Sequence, residues 1–198
     1  MKTSAETDRT TLWDDLPITV YPSSNTGSAA KVSSGNVTTN FQRLKALALA
    51  YETEGGALYQ DAALLSEIIS GLDFMVDTYY NGTTSTNWGN WYHWEIGTPQ
   101  ALASTLIILY DELTEEQLAN YPTGIERYDS GCGSAGIPGS PTMTGANLLD
   151  KALVVAQAGV LTDNPQKLEH VRDAQKDVYR YVTGDDGFYE DGSFIQHH

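Results

Sequence analysis

Three short stretches of this chain gather residue types that do chemistry. The first, NWGNWYHWEIGTP, runs from Asn87 to Pro99 and sets three tryptophans and a tyrosine within seven residues, interleaved with Asn90 and His93. Large rings of this kind either fill a core or line a concave wall on which the apolar C–H face of a sugar stacks while nearby amides take its hydroxyls. Both readings stand for the cluster as a whole. Within it, Trp94 and Ile96 are the expected core members, and Trp91 with Tyr92 the expected platform.

The second stretch is TMTGANLLD, residues 142–150. With Thr144 as the N-cap of a helix, Asn147 falls in the first turn. There its amide, the unpaired backbone N–H groups and the positive end of the helix dipole converge, a place to receive a carboxylate or a developing oxyanion. The plainer alternative is an asparagine tolerated near a helix start. The third is GDDGFYEDGSFIQHH, from Gly184 to His198, whose two Asp-Gly pairs predict turns leading into a new element. His197 has the one side chain whose ordinary pKa lies near neutrality and so suits a general base. A terminal His-His pair reads equally as the remnant of a tag.

The elements that must position these residues read as helices. Phe41, Leu44, Ala48 and Tyr51 form one apolar stripe, and Leu64, Ile68, Leu72, Met75 and Tyr79 form a longer one. Thr98-Pro99 resembles a cap followed by proline at the first helical position. Thr114 with Gln117 reads as a capping box. Asn164-Pro165 repeats the cap-and-proline pattern before Leu168, Val171, Val178 and Val182. No segment sustains strand alternation, and no fixed-period repeat is present. The prediction is an all-α fold of about six helices in antiparallel pairs, as in bundles or helical toroids. Residues 1–35 read as an irregular N-terminal segment and residues 36–198 as the helical part. The long stretches 81–97 and 129–143 are the expected functional loops.

A length of 198 residues suits one domain with a substantial core, and the formal net charge of −15 lacks the basic footprint of a nucleic-acid binder. No apolar run has the length of a membrane span. A single cysteine, Cys132, excludes an intramolecular disulfide and a cysteine-rich metal site. The opening MKTSAETDRTTLW has no apolar signal core, which leaves an intracellular protein or a mature secreted chain with Met1 added.

In order and approximate spacing, NWYHWEIGTP, TGANLLD and DGFYEDGSFIQH together resemble the polysaccharide lyase family that includes hyaluronate, chondroitin AC and xanthan lyases. The resemblance runs from about Asn36 to the end. It implies the N-terminal part of an incomplete α/α toroid of paired helices, with the rest of the toroid and β domains absent. It further implies a secreted enzyme, a carbon-oxygen lyase, that takes an acidic polysaccharide and needs no metal or other cofactor. By the same resemblance, Trp91 and Tyr92 match the aromatic patch that positions the chain, Tyr92 standing where a tryptophan is usual. Asn90 becomes a substrate contact, Arg43 a weaker match to a substrate-contacting arginine, and Asn147 and His197 the catalytic pair.

The chemistry suits those residue types. β-Elimination removes the C5 proton of a uronic acid, so an amide that neutralises the carboxylate stabilises the intermediate. A base takes the proton and an acid protonates the leaving oxygen. The family's tyrosine acid is expected just after His197, which predicts a chain cut through its active site, weakly active alone and packed in life against the missing C-terminal part. The negative charge opposes a polyanion at long range, so the cleft must be locally less negative than the whole. Two alternatives remain: a glycoside hydrolase on a similar toroid, with a carboxylate pair from Glu95, Glu190 or Asp191, and a carbohydrate-binding module without catalysis.

Overall fold

The computed structural model describes residues 10–22, 25–83, 87–128 and 143–196. Cys132, most of the Gly/Ser/Pro-rich loop and His197 lie outside these residues.

Helix α1, Ser28–Glu52, begins well ahead of Asn36, inside the segment read as irregular. Its first turns escape an apolar-periodicity reading because their buried face is small and polar. Ser33 is buried and its hydroxyl exchanges two hydrogen bonds with the Thr19 backbone, at 2.7 and 2.9 Å. Ser34, fully buried, donates to the Lys31 carbonyl. Further along, Phe41, Leu44, Ala48 and Tyr51 are buried as the stripe predicts. Helix α2, Ala62–Tyr79, starts where the Asp61 carboxylate accepts the Leu64 N–H at 2.8 Å. It buries Ile68, Leu72, Met75 and Tyr79, with Leu64 at the edge.

Helix α3, Thr98–Ile108, packs on α1. Thr98 is not its cap. The chain is already helical at Trp91 and passes through a π-helical turn, His93–Gly97, into α3. The Thr98 N–H reaches back five residues to the His93 carbonyl. Pro99 has no N–H for the carbonyl of Glu95 four residues earlier, so the helical ladder is interrupted here and the wider turn carries the chain across. Thr98 turns its hydroxyl inward instead, 2.9 Å from that of Thr38 on α1.

Helix α4, Glu115–Asn120, opens on the expected Thr114–Gln117 capping box, and α5 follows at Thr123–Tyr128. Helices α6, Gly145–Leu161, and α7, Pro165–Val178, pack against each other across a short turn and so run antiparallel. The last described segment departs from the all-helical expectation. It is a small antiparallel hairpin, β1 (Gly187–Phe188) with β2 (Phe194–Ile195), pairing Gly187 with Ile195 and Phe188 with Phe194. The second Asp-Gly pair, Asp191-Gly192, makes its turn, Gly192 taking φ +87°.

The larger core lies among α1, α2 and α3 around Phe41, Tyr80, Trp94 and Leu102. A smaller one joins Ile96 of the π turn to Met143, Leu148, Ala152 and Val155, and to Val171 and Val178 of α7. Among the described residues no helix is long and apolar enough to cross a membrane.

Candidate active site

The aromatic stretch is seated on α1 by its backbone. Gly89 takes φ +77° and donates to the Asn25 carbonyl at 2.6 Å, and a Cβ there would collide with Ser34 and the Ala30 carbonyl. The next N–H, from Asn90, donates to Ser34 Oγ at 3.1 Å, while Asn90 Oδ1 accepts the Tyr92 N–H at 3.1 Å. Asn90 therefore caps the helix that starts at Trp91, and its NH2 has no partner among the described residues.

From this start Trp94, Trp91 and Tyr92 divide as expected, and Trp88, which carried no expectation, joins the core. Trp88 and Trp94 are buried edge-to-face, centroids 4.6 Å apart, with Trp94 Nε1 donating to the Trp88 carbonyl at 2.7 Å. Ile96 is buried too. Trp91 and Tyr92 remain half-buried, resting on the smaller core. Their planes meet at 74° with centroids 6.2 Å apart, so the platform is a corner and not one flat wall. Burial and the Asp150 carboxylate hold the Tyr92 phenol above its ordinary pKa, so it stays protonated at neutral pH.

Asp150 is one turn beyond Asn147 on α6, so the two share one side of that helix. The Asp150 carboxylate accepts from Gln100 Nε2 on α3 at 3.3 Å and is near enough to Tyr92 to act on its phenol. Asn147 is half-buried and its side chain has no hydrogen bond to a described residue. The helix start is built differently from the local capping expectation. Thr144 makes no cap bond; its hydroxyl donates to Asp186 Oδ2 at 2.7 Å. Gln196 replaces it, accepting the Ala146 N–H through Oε1 and donating to Asp186 Oδ2 at 2.8 Å through Nε2. One of the N–H groups expected to be open is thus occupied, leaving the Asn147 amide and the helix dipole as the receiving features. The stretches TGAN and SFIQ, far apart in sequence, meet here.

A second tie joins the aromatic segment to α6. Lys151, fully buried, places Nζ 3.9 Å from Glu95 Oε2 and 2.8 Å from the Tyr128 carbonyl. It also donates at 3.4 Å to the Glu95 carbonyl, the one that Pro99 cannot serve. Glu95 is fully buried as well, so it is no accessible acid for a hydrolytic pair. Glu190 and Asp191 sit exposed at the hairpin turn, where the Ser193 backbone N–H holds the Asp191 carboxyl below its ordinary pKa.

His93 Nδ1 lies 3.0 Å from Thr38 Oγ1, and burial lowers the pKa of its imidazole. Arg43 does not join this group. Its guanidinium makes a bidentate pair with Asp15, at 2.8 and 2.6 Å, and stacks over Trp13 at 5.5 Å. The hydrogen bond from Arg43 lowers the Asp15 pKa. His197 follows Gln196 directly in the chain and lies outside the described residues.

Sequence reasoning missed Lys151, Asp186 and Gln196. For Lys151 a signal exists, a cation inside the apolar stripe Leu148, Ala152, Val155 of α6. For Asp186 and Gln196 none does, because their partners are distant in sequence.

The chain matches the family described as "Polysaccharide lyase family 8, N terminal alpha-helical domain" over residues 1–198. It is 40% identical over 178 residues to hyaluronate lyase HylB of Enterococcus faecalis, covering 83% of this chain and 17% of that protein. The solved xanthan lyase of Paenibacillus superposes with a TM-score of 0.80 at 36% identity, covering 97% of this chain and 16% of that one. Chondroitin AC lyase of Streptomyces coelicolor A3, solved in complex with chondroitin sulphate, gives 0.74 at 35% identity, covering 91% of this chain and 24% of that one. The chain thus spans at most about a quarter of the length of each, by the 24% of the last. Its paired helices agree with the expected part of an incomplete α/α toroid, and by sequence and by fold the chain belongs to polysaccharide lyase family 8, whose N-terminal α-helical domain it matches.

Proposed function

We propose that the chain is the helical part of an enzyme that cleaves a uronic-acid-containing polysaccharide (hyaluronan, chondroitin or xanthan) by β-elimination. One observation carries the reading: the Asn147 amide, with no partner among the described residues, stands in the first turn of α6, on the side of that helix whose Asp150 acts on Tyr92 of the half-buried aromatic corner. The Trp91–Tyr92 corner receives the apolar face of a sugar, with the Asn90 NH2 beside it for a hydroxyl. Arg43, already engaged by Asp15, is not assigned to the substrate.

In the reaction Asn147 donates to the uronate carboxylate while the helix dipole opposes its charge, which stabilises the negative charge that develops as C5 loses its proton. His197 takes that proton. The C4–O bond breaks as the C4–C5 double bond forms, and the departing oxygen takes a proton from an acid supplied by the rest of the enzyme. That remainder packs against this chain, and exposed apolar residues such as Leu153, Val160 and Leu168 on α6 and α7 fit such a cover. A polymeric substrate calls for an enzyme that works outside the cell.

The test is the product formed by the complete enzyme from each of the three polymers. Elimination yields an unsaturated uronate that absorbs in the ultraviolet. Hydrolysis yields new reducing ends without that absorbance, and a binding module yields no product.

A further inference from the structure

The TGAN stretch is explained residue by residue by one segment far along the sequence. Thr144 donates to Asp186, Ala146 donates to Gln196, and Gln196 donates to Asp186, closing a ring across the start of α6. Gly145, at φ +50°, leaves the space the Gln196 amide occupies, since a Cβ there would overlap Oε1. The orientation of that amide is fixed by its partners: a backbone N–H only donates and a carboxylate only accepts. The hairpin Gly187–Phe188/Phe194–Ile195 spans Asp186 to Gln196, so both ends of one paired turn are fastened to the helix start. Asn147 is the next residue on one side of the ring, and His197 is the next residue on the other.

We infer that Gln196 is a positioning residue: with Asp186 it fastens the segment that continues into His197 to the helix start that carries Asn147. This rests on the lyase reading of those two residues. Proton abstraction needs base and carboxylate partner in one geometry, and a misplacement of about 1 Å costs on the order of 100-fold in rate. Gln196 touches no reacting atom, so its loss acts on turnover and leaves sugar stacking at Trp91 and Tyr92 in place.

The experiment uses the complete enzyme and measures unsaturated-uronate release together with melting temperature for three variants. These are Gln196→Ala, Gln196→Glu, and Gln196→Glu combined with Asp186→Asn. Gln196→Ala is expected to lower kcat by about 100-fold with KM little changed. Gln196→Glu sets two carboxylates against each other; its kcat falls at neutral pH, and its ratio to the parent measured at the same pH recovers toward acid pH as the pair shares a proton. In the double variant the amide introduced at position 186 can donate to the carboxylate introduced at position 196. Thr144 and Gln196 both bond to Asp186 Oδ2, so the NH2 that takes its place can give its second hydrogen to the Thr144 hydroxyl, which accepts as well as donates. The ring is restored with its directions reversed, and kcat returns toward the parent at neutral pH. Should Gln196→Ala fail to fold, the comparison of Gln196→Glu with the double variant still decides. Equal kcat in those two, or a parental kcat in Gln196→Ala, overturns the inference while the lyase reading survives. A parent enzyme that releases no unsaturated uronate from any of the three polymers overturns both.

Discussion

Lys151 Nζ lies 3.9 Å from Glu95 Oε2 with both side chains removed from solvent, and this pair links the turn below the aromatic corner to the helix that carries Asn147. Each residue is one helical turn beyond its functional neighbour: Glu95 beyond Trp91, Lys151 beyond Asn147. Removing one partner leaves a charge buried without its counterion, which costs about 3–5 kcal/mol. Lys151→Met and Glu95→Gln are each expected to lower denaturation stability on that scale. The double variant should lose less than the sum, read as a coupling energy from chemical unfolding. Additive losses would show that the pair is not coupled.

Gly145→Ala should be destabilising for two separable reasons. Its φ of +50° costs a residue with a Cβ about 1–2 kcal/mol, and the added methyl displaces the Gln196 amide. Unfolding of Gly145→Ala alone and in a Gln196→Ala background measures both. The second cost disappears in the double variant and the first persists.

His93 predicts a pH dependence. Its folded pKa lies below the ordinary 6.5, because burial disfavours the cation. The unfolded chain therefore takes up the proton first as pH falls. Stability from this group is fully present above pH 6.5 and is lost as pH falls from there through the lowered folded value. Melting temperatures from about pH 7.5 to about pH 5 should drop more steeply for the parent than for His93→Gln. Parallel curves would show that His93 does not titrate differently on folding.

The aromatic corner separates two contributions. Tyr92→Phe keeps the ring face and should leave KM within about twofold, since stacking needs no hydroxyl. Trp91→Ala removes one wall of the corner and part of the cover over the smaller core. In the complete enzyme it should raise KM several-fold, with a stability loss below the about 3–5 kcal/mol of a fully buried tryptophan, because Trp91 is only half-buried. Steady-state kinetics on the preferred polymer distinguish the two.

What could be read from the sequence was local. The stripes along α1 and α2 were legible because large apolar residues recur at helical spacing, and so was the Thr114–Gln117 box. The division of the rings, Trp94 inward and Trp91 with Tyr92 outward, was legible too. The start of α1 was not, because Ser33 and Ser34 form its buried face through hydrogen bonds that no apolar pattern records. Thr98 misled because a cap and a proline inside a continuous helix look the same as a helix start, and only the π turn tells them apart. At α6 the expected cap, Thr144, gives its hydroxyl to Asp186, and Gln196 arrives from the far end of the chain to do the capping. The pairing of Arg43 with Asp15, also distant in sequence, was not legible either.

The most direct test of the account is unsaturated-uronate release by the complete enzyme carrying Asn147→Ala or His197→Ala, beside its parent. The parent should generate ultraviolet-absorbing ends from at least one of hyaluronan, chondroitin and xanthan. Each variant should keep its fold and lose about 100- to 1,000-fold in kcat, the scale of removing one charge-stabilising donor or one proton-transfer group. Parental rates of elimination in both variants would contradict the account, as would polymer cleavage that leaves no unsaturated end.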